Sequence, residues 1–492
     1  MKGSVKEKAR NQINERLVII PVAQDLFSAV STKPAKKHNK TVLMGTDEHV
    51  YLFSPYENAR DRCVYNVPFL FMANGEPWLE ANDYLMHLLQ HKHPIKRPTD
   101  EARRKASRLL DYAMFCESEG IDWLDFSARL PSGRPTYRYF RHLCKKGERS
   151  AAVINQYTGT VYDFYKYVSK YCHKHLDLKR VDTVTMATIR YETQRGRGSK
   201  DVEVRSQTKR KPGASAVPIG YIREDGEDLR PLTTAQMNVL LDDILKPYWS
   251  VPERLILLFA LYTGARKQSV LTLRMKHLDA FNEDALRKNG TYCLAAGPGT
   301  GIDTKNDKQQ KLYVPRQLAD DLAVWAFSPA AKRRREKMKA AYAEQFPDLP
   351  AMADDDFYIF LSDQGNPYYL AKDDPRYPVV KSPQIGQVTD TLKRKIRRCL
   401  EDYDFPRDFT YHWLRATYAY QLYLSLQPLV DVGKISFSDQ IGIVKERLHH
   451  ESVTTTENYL KLFSTLHERL SAQESWEDKI FGSFDGELYA KD

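Results

Sequence analysis

Apolar residues recur at helical spacing over most of the chain from about residue 78 onward. The strongest pattern predicts a helix over Ala151–Tyr171, because its apolar residues recur at intervals that place them on one helical face. A second helix is predicted from Thr99, which follows Pro98, to residue 119, where Gly120 provides a stop. These segments indicate a helical domain over residues 77–190.

The first 76 residues show a different pattern, in which short apolar runs alternate with turn-forming residues. The runs that are typical of short strands lie at residues 42–44, 50–53 and 67–71. Residues 6–17 are compatible with a short helix. The apolar run at 17–23 is short and contains Pro21, so a signal peptide is not expected. We interpret residues 1–76 as a small appended module, β-containing in part.

The second half of the chain combines buried helices with one predicted strand pair. A continuous apolar run predicts a helix over residues 252–262 that ends before Gly264. Strands are predicted at 291–295 and 311–314, and a basic helix from 382 to 400. The whole pattern predicts a mainly α fold with a small β component (α+β), in which residues 223–470 form a mixed, mostly helical domain.

Two segments lack apolar periodicity. Residues 191–222 are rich in glycine, serine and basic residues, which is typical of a linker. A run of charges is usually only solvated, but cations between two domains also suit contacts with phosphates. The basic residues in question are Arg195, Arg197, Lys209, Arg210 and Lys211. Residues 471–492 form a tail whose apolar side chains suit either packing on their own domain or docking on a neighbouring subunit.

Composition narrows the class of partner. The chain has 492 residues, too many for one core, and its 42% hydrophobic content is ample for burial. Its formal net charge of +11 fits a polyanionic partner such as nucleic acid. The six cysteines are scattered without a Cys-x-x-Cys pair, which favours a reducing compartment over a disulfide framework or a zinc site. No apolar stretch approaches the roughly 20 residues of a membrane span.

The candidate chemistry is concentrated near the C-terminus. His412 and Arg415 are three residues apart and therefore lie on adjacent turns of one helical face. Arg266 follows the predicted buried helix in the sequence Thr-Gly-Ala-Arg, and His450 precedes Tyr459. Two arginines and two imidazoles beside a tyrosine hydroxyl suit one substrate, a phosphodiester, because a guanidinium binds its oxygens bidentately and never deprotonates.

This pattern resembles the tyrosine recombinase (phage-type integrase) family, whose signature is Arg, Lys, His-x-x-Arg, His or Trp, and Tyr, in that order. The matching residues are Arg266, Lys305, His412, Arg415, His450 and Tyr459. The resemblance covers residues 225–470 well and residues 78–185 more loosely. It implies a helical core-binding domain followed by a tyrosine recombinase catalytic domain.

The resemblance also implies roles. Arg266 and Arg415 clamp the phosphate, and His412 and His450 donate hydrogen bonds to it or accept the tyrosine proton. Lys305 protonates the departing 5′ oxygen, and Tyr459 becomes joined to the 3′ phosphate. No cofactor or metal is expected, because the arginines supply the positive charge.

The partners implied are a double-stranded DNA recombination site and further copies of the chain, with a dimer on each site and a tetramer on paired sites. Accessory DNA-bending or directionality proteins are compatible with this class, membranes are not, and a prokaryotic cytoplasm with nucleoid association is expected. Additional DNA contacts are expected from the basic helix, and in the core-binding domain from the segment 134–146. The residues concerned are Lys393, Arg394 and Arg397, and then Tyr137, Tyr139 and Arg141.

Two positions depart from the family pattern, and one assignment stays open. Ser269 stands where an acidic residue is usual, and His449 stands where a glycine precedes the second histidine, which is expected to strain a helix N-terminus. Lys308 competes with Lys305 for the role of catalytic lysine.

Two alternative functions share these residues. A type IB topoisomerase-like enzyme or a hairpin telomere resolvase would use the same chemistry without strand exchange. A non-catalytic DNA-binding protein would keep the fold without forming a covalent adduct.

Overall fold

The computed structural model describes residues 15–24, 30–31, 42–46, 49–53, 63–89, 97–193, 196–209, 221–224, 226–449, 459 and 463. They divide into two units: unit 1 comprises residues 1–215 and 378–381, and unit 2 comprises residues 216–377 and 382–492. The finer division expected from the sequence, at 76, 190, 222 and 470, stays a prediction. The predicted helix at 6–17 and the tail at 471–492 lie almost wholly outside the described residues.

The described residues of unit 1 include five helices. They are α1 Leu79–Leu89, α2 Pro98–Ser118, α3 Pro135–Lys146, α4 Ala151–Tyr171 and α5 Leu178–Val181. The helices predicted at 99–119 and 151–171 are thus present, and Gly120 adopts the left-handed conformation that ends α2. Aromatic side chains fill the core between them, with the hydroxyls of Tyr112 and Tyr165 hydrogen-bonded at 2.7 Å.

The strands that the structure describes in unit 1 form three antiparallel sheets. They are β1 Leu17–Gln24, β2 Val30–Ser31, β3 Val42–Thr46, β4 His49–Phe53, β5 Cys63–Leu70, β6 Val184–Thr193 and β7 Gly196–Arg205. Among the described strands, β1 pairs only with β5, so its edge position accommodates Pro21, which has no N–H to donate. The sequence predicted the strands near 42, 50 and 67, but not β1.

The segment expected to be a linker begins inside a hairpin instead. β6 and β7 pair along their whole length, from Val184 opposite Arg205 to Thr193 opposite Gly196. Most of the described side chains on this ribbon are exposed or half-buried, including Met186 and Val204. Because neither face is fully buried, the hairpin requires no alternation of apolar residues, and its sequence therefore resembled a loop.

Unit 2 contains eight helices and two short hairpins among its described residues. The helices are α6 Thr234–Ile244, α7 Val251–Thr263, α8 Lys267–Leu271, α9 Arg316–Phe327, α10 Pro329–Gln345, α11 Val388–Cys399, α12 Trp413–Asp431 and α13 Phe437–Leu448. The hairpins pair β8 Ile222–Glu224 with β9 Glu227–Leu229, and β10 Thr291–Ala296 with β11 Gln310–Pro315. The fold is therefore mainly α with a small antiparallel β component, as predicted.

The core of unit 2 brings α7, α12 and α13 together. α12 packs against both other helices, and large side chains such as Phe259 and Trp413 are almost fully buried between the elements. α6 begins at a capping box in which Thr233 and Gln236 bond each other's backbone N–H groups. The basic helix predicted from 382 begins only at Val388, because the preceding segment contains Pro383 and a left-handed Gly386.

None of the described helices combines the length and the apolar character of a bilayer span. Within the same residues, no group of three His, Cys, Asp or Glu side chains could hold a metal ion.

Candidate active site

Arg266 is positioned by a sharp turn at the end of α7. Gly264 adopts a left-handed conformation (φ 66°), and a Cβ on it would lie 2.6 Å from the ring of Tyr418. Only glycine fits both constraints, so the chain leaves α7 here and reaches Arg266 at the start of α8.

Arg415 lies in the first turn of α12 and is buried, with 3% of its surface exposed. Its guanidinium donates to the backbone carbonyl of Gly264 at 2.7 Å and to that of Leu448. These carbonyls belong to the C-terminal ends of α7 and α13, where the helix dipoles are negative. Two helix ends therefore hold the buried cation in place.

Tyr459 is fully buried. Its hydroxyl donates to Glu224 Oε2 at 2.5 Å, and its ring lies 5.8 Å from that of Phe463. Burial raises the pKa of Tyr459 well above its usual value, and the adjacent Glu224 carboxylate adds to this effect. The tyrosine is therefore protonated and hydrogen-bonded near neutral pH.

The carboxylate of Glu224, at the end of β8, contacts Arg266, Arg415 and Tyr459. Its Oε1 accepts from Arg266 Nη2 at 2.7 Å and lies 3.5 Å from Arg415 Nε, while its Oε2 accepts from Tyr459. Burial by itself would raise the pKa of this carboxyl, but Arg415, the Tyr459 hydrogen bond, His412 and Arg266 outweigh it and lower the pKa to about 2.

The sequence analysis missed Glu224, although a usable signal existed. Asp225-Gly226 between two short runs favours a two-residue hairpin. Within the first strand, Glu224 follows the buried Ile222 by two residues and so shares its face. An acidic residue on the apolar face of a hairpin requires a cationic partner.

His412 immediately precedes α12, and its Nδ1 lies 3.7 Å from Glu227 Oε2. His412 lowers the pKa of the Glu227 carboxyl below its usual value. Its Nε2 is buried and has no hydrogen-bond partner among the described residues. A buried imidazole nitrogen without a partner is energetically costly, which makes it a candidate for a substrate contact.

A cleft of about 470 Å³ opens beside these residues. The charged side chains and the imidazole in its lining are Glu227, Arg266, Lys267, Lys305, Asp390, Lys393, His412 and Arg415. Lys305 begins the short helical turn Lys305–Asp307 in the connection between β10 and β11, and Lys308, in the same connection, is not part of this lining. The structure thus places Arg266, Lys305, His412 and Arg415 together, whereas His450 lies outside the described residues.

The predicted DNA contacts differ in their surroundings. Lys393 lines the cleft and bonds Asp390 at 3.1 Å, and Arg394 is exposed. Arg397, by contrast, donates to the backbone carbonyl of Phe409 at 2.9 Å and so anchors the segment before α12. Lys209 is tied to α4 through two backbone hydrogen bonds with the side chain of Asn155, at 2.8 and 2.9 Å.

The other basic residues of the expected linker cannot be placed in the same way. Arg195, Arg210 and Lys211, together with the side chain of Arg197, lie outside the described residues.

In unit 1, Tyr139 does not face a phosphate as expected. It is 1% exposed, and its hydroxyl donates to Asp111 at 2.5 Å. The reason is its position on α3, where it falls on the buried face with Leu143.

Both departures from the family pattern have a structural explanation. Ser269 is buried and donates to the backbone carbonyl of Asp303 at 2.8 Å, so the carboxylate at the arginines comes from Glu224 instead. His449 ends α13 in the left-handed region (φ 53°). The expected strain at a helix N-terminus is therefore wrong, because the position is a helix C-terminus, where glycine is favoured.

His449 is also held by β11. Its Nε2 lies 3.0 Å from the backbone carbonyl of Lys311. Burial, followed by the nearby Arg415, lowers the pKa of His449 to about 4, so the ring is neutral near pH 7 and donates through Nε2.

No protein-family model and no curated protein sequence matches the chain. Among solved structures, the chain is similar to a tyrosine-to-phenylalanine variant of the Tn1549 transposon integrase in complex with transposon right end DNA. That match has 14% identity and a TM-score of 0.37, and covers 79% of this chain and 98% of the integrase chain. The Tn1549 integrase in complex with circular intermediate DNA matches with 14% identity and a TM-score of 0.35, covering 77% of this chain and 94% of that one.

The chain is also similar to XerA recombinase, with 16% identity and a TM-score of 0.27 over 80% of this chain and 98% of the other.

Proposed function

We propose that this chain is a tyrosine-type site-specific DNA recombinase, which cuts and rejoins DNA strands through a 3′-phosphotyrosine intermediate. One observation carries the proposal: Arg266, Arg415 and the hydroxyl of Tyr459 converge on a single carboxylate. Two guanidinium groups and a tyrosine hydroxyl around one anion are the groups that in-line attack on a phosphodiester requires.

In the proposed reaction, the oxygen of Tyr459 attacks phosphorus, and the bond between phosphorus and the 5′ oxygen breaks. Arg266 and Arg415 stabilise the charge on the non-bridging oxygens. His412 donates to the same oxygens through Nε2, and Lys305 gives a proton to the departing 5′ oxygen. The tyrosine proton passes to an imidazole, for which His450 is the candidate because His412 acts as a donor.

Rejoining reverses these steps. The phosphotyrosine bond conserves the energy of the broken bond, so that the 5′ hydroxyl of another strand attacks phosphorus and releases Tyr459. The proposed partners are double-stranded DNA and further copies of the chain, a dimer on each site and a tetramer on paired sites. The net charge of +11 supports the first of these partners.

The test captures the covalent intermediate. The protein is incubated with a pool of nicked duplexes of random sequence, in which the nick lets the cleaved fragment diffuse away and traps the adduct. Protein-linked DNA that survives detergent and heat is expected with the wild type and absent with Tyr459→Phe. Sequencing the linked strand identifies the preferred site.

Tyr262→Phe is the matched control, because this tyrosine is exposed on α7 of the same unit. It is expected to form the adduct normally. An adduct that persists in Tyr459→Phe would refute the assignment of the nucleophile, and Tyr418 and Tyr420 would be tested next. Joint molecules between two labelled duplexes, as opposed to relaxed circles or hairpins alone, distinguish a recombinase from a topoisomerase or a telomere resolvase.

A further inference from the structure

The most unusual feature of the site is the carboxylate at its centre. Glu224 is 7% exposed, and its carboxylate bonds or ion-pairs with three groups of the proposed machinery: Arg266, Arg415 and Tyr459. A buried carboxylate normally needs one cationic partner, whereas this one has two guanidinium groups and a short hydrogen bond from the nucleophile.

A carboxylate and a phosphodiester present the same features to such a site. Each is a monoanion with two oxygens that accept hydrogen bonds from the fork of a guanidinium. Oε1 of Glu224 faces both arginines, and Oε2 faces the hydroxyl of Tyr459. The oxygen that must attack phosphorus therefore donates its proton to an anion that already occupies the arginine pair.

We propose that Glu224 occupies the phosphate site of the DNA-free protein, and that the scissile phosphate must displace it before Tyr459 can react. The exchange replaces one monoanion by another, so the arginine pair is never left without a counter-charge. The identity of the displacing anion rests on the proposed function, whereas the occupation of the arginine pair by Glu224 does not.

The hairpin that carries Glu224 supports this inference independently. From the start of its second strand, Glu227 faces His412 at 3.7 Å and also lines the cleft. One hairpin of two short strands thus supplies a carboxylate to the arginine pair and another to the histidine. Two side chains from one element thus place negative charge beside Arg266, Arg415 and His412, to which the proposed function assigns the phosphate.

The inference predicts competition between Glu224 and a free anion. Inorganic sulfate serves as the probe, and thermal unfolding of the full chain is measured as sulfate replaces chloride at constant ionic strength. In Glu224→Gln the amide keeps the shape of the side chain but removes its charge, so the arginine pair becomes an open anion site. Sulfate at ten times its dissociation constant should raise Tm by about 1–3 °C more than in the wild type.

Two variants control for other effects of sulfate, which also stabilises proteins by exclusion from their surface. Asp228→Asn removes a carboxylate of the same hairpin that pairs with Arg223 at 2.7 Å. It should respond to sulfate as the wild type does. The double variant Glu224→Gln with Arg266→Gln should lose the additional response.

An equal sulfate response in the wild type and Glu224→Gln would overturn the proposal. If Glu224→Gln does not fold, Glu224→Asp is used, which keeps the charge but is one methylene shorter and should show an intermediate response. Failure of both variants to fold would also overturn it, since an indispensable carboxylate is not exchangeable. A wild type that forms no DNA adduct would refute the proposed function and leave the sulfate result standing.

Discussion

Buried charges decide the properties of the individual residues in this site. Arg415 is almost fully buried and bonds two helix C-termini, and its Nε lies 3.5 Å from Oε1 of Glu224. Removing one member of such a group leaves the others desolvated without a partner, which costs more than the pair itself contributes. The site should therefore be sensitive to acid as well as to mutation.

Acidification tests how much the ionised carboxylate of Glu224 contributes to stability. Its pKa is lowered from 4.5 to about 2 in the folded protein, so its contribution to stability is present above about pH 4.5 and is lost as pH falls toward 2. The shift corresponds to roughly 3 kcal/mol. Denaturant unfolding should show a difference between the wild type and Glu224→Gln that shrinks by about this amount between pH 6 and pH 2. Asp228→Asn, which alters a half-buried ion pair with Arg223, serves as the control and should show a smaller pH dependence. A Glu224→Gln difference that does not depend on pH would contradict the assignment.

Substitution of the two candidate lysines tests the proposed acid. Lys305 lines the cleft with Arg266, so Lys305→Ala should slow cleavage of an ordinary duplex by about 10²–10⁴-fold. Cleavage should recover on a duplex with a 5′-bridging phosphorothiolate, because a thiolate leaves without a proton. Lys308→Ala, in the same connection between strands, is the matched control and should cleave both substrates normally. Rescue of Lys308→Ala and not of Lys305→Ala would show that the chosen register is wrong.

Local elements differ in how well the sequence predicts them. Helices α2, α4 and α7 were predicted within a few residues, because each has an apolar face or run and a glycine or capping residue at one end. The strands at 291–295 and 311–314 were predicted as a pair, and β10 and β11 do pair, with Ala295 opposite Lys311. The β6–β7 hairpin was not predicted, since a ribbon without a fully buried face leaves no apolar period.

In the site, too, residues with a characteristic local sequence are predictable, whereas contacts between residues far apart in sequence are not. The motif residues are recognisable because their neighbours in sequence are characteristic, as in Thr-Gly-Ala-Arg266. Glu224 and Tyr459 are 235 residues apart, and no local pattern indicates their hydrogen bond. Contacts between residues that meet only through tertiary packing are therefore not predictable from local sequence patterns.

The turn at the end of α7 gives a prediction at the scale of the element. Gly264→Ala places a side chain in the left-handed region, at a cost of about 1–2 kcal/mol, and drives its Cβ into the ring of Tyr418, at a further cost of about 1–3 kcal/mol. Gly433→Ala, just beyond α12, is the matched control, because its φ of 69° is similar and no atom lies within 4 Å of its Cβ.

Denaturant unfolding should therefore show the larger loss for Gly264→Ala, and adduct formation should fall because Arg266 shifts with the turn. Equal losses in the two variants would mean that the Tyr418 ring moves aside freely.

For the whole molecule, the effect of the net charge of +11 on binding depends on where the cations lie. Several are engaged within the protein, such as Arg397 at the carbonyl of Phe409 and Arg274 at Asp373. Others line the cleft or lie on exposed surfaces, where phosphates can reach them. Composition alone therefore overestimates the number of cations that can contact the proposed DNA partner.

The salt dependence of DNA binding measures how many cations contact phosphates. The backbone of Lys209 is hydrogen-bonded to α4, so its side chain takes no part in those bonds. Lys209 begins a basic run that continues through Arg210 and Lys211. Neutralising all three should weaken binding to every duplex sequence and flatten the log–log salt slope by up to about 0.9 per lost phosphate contact. Lys332→Gln, Arg333→Gln and Lys337→Gln on α10 together remove the same charge from another exposed surface. If both triple variants flatten the slope equally, net charge alone accounts for the effect; if only the first does, the basic run lies along the DNA backbone.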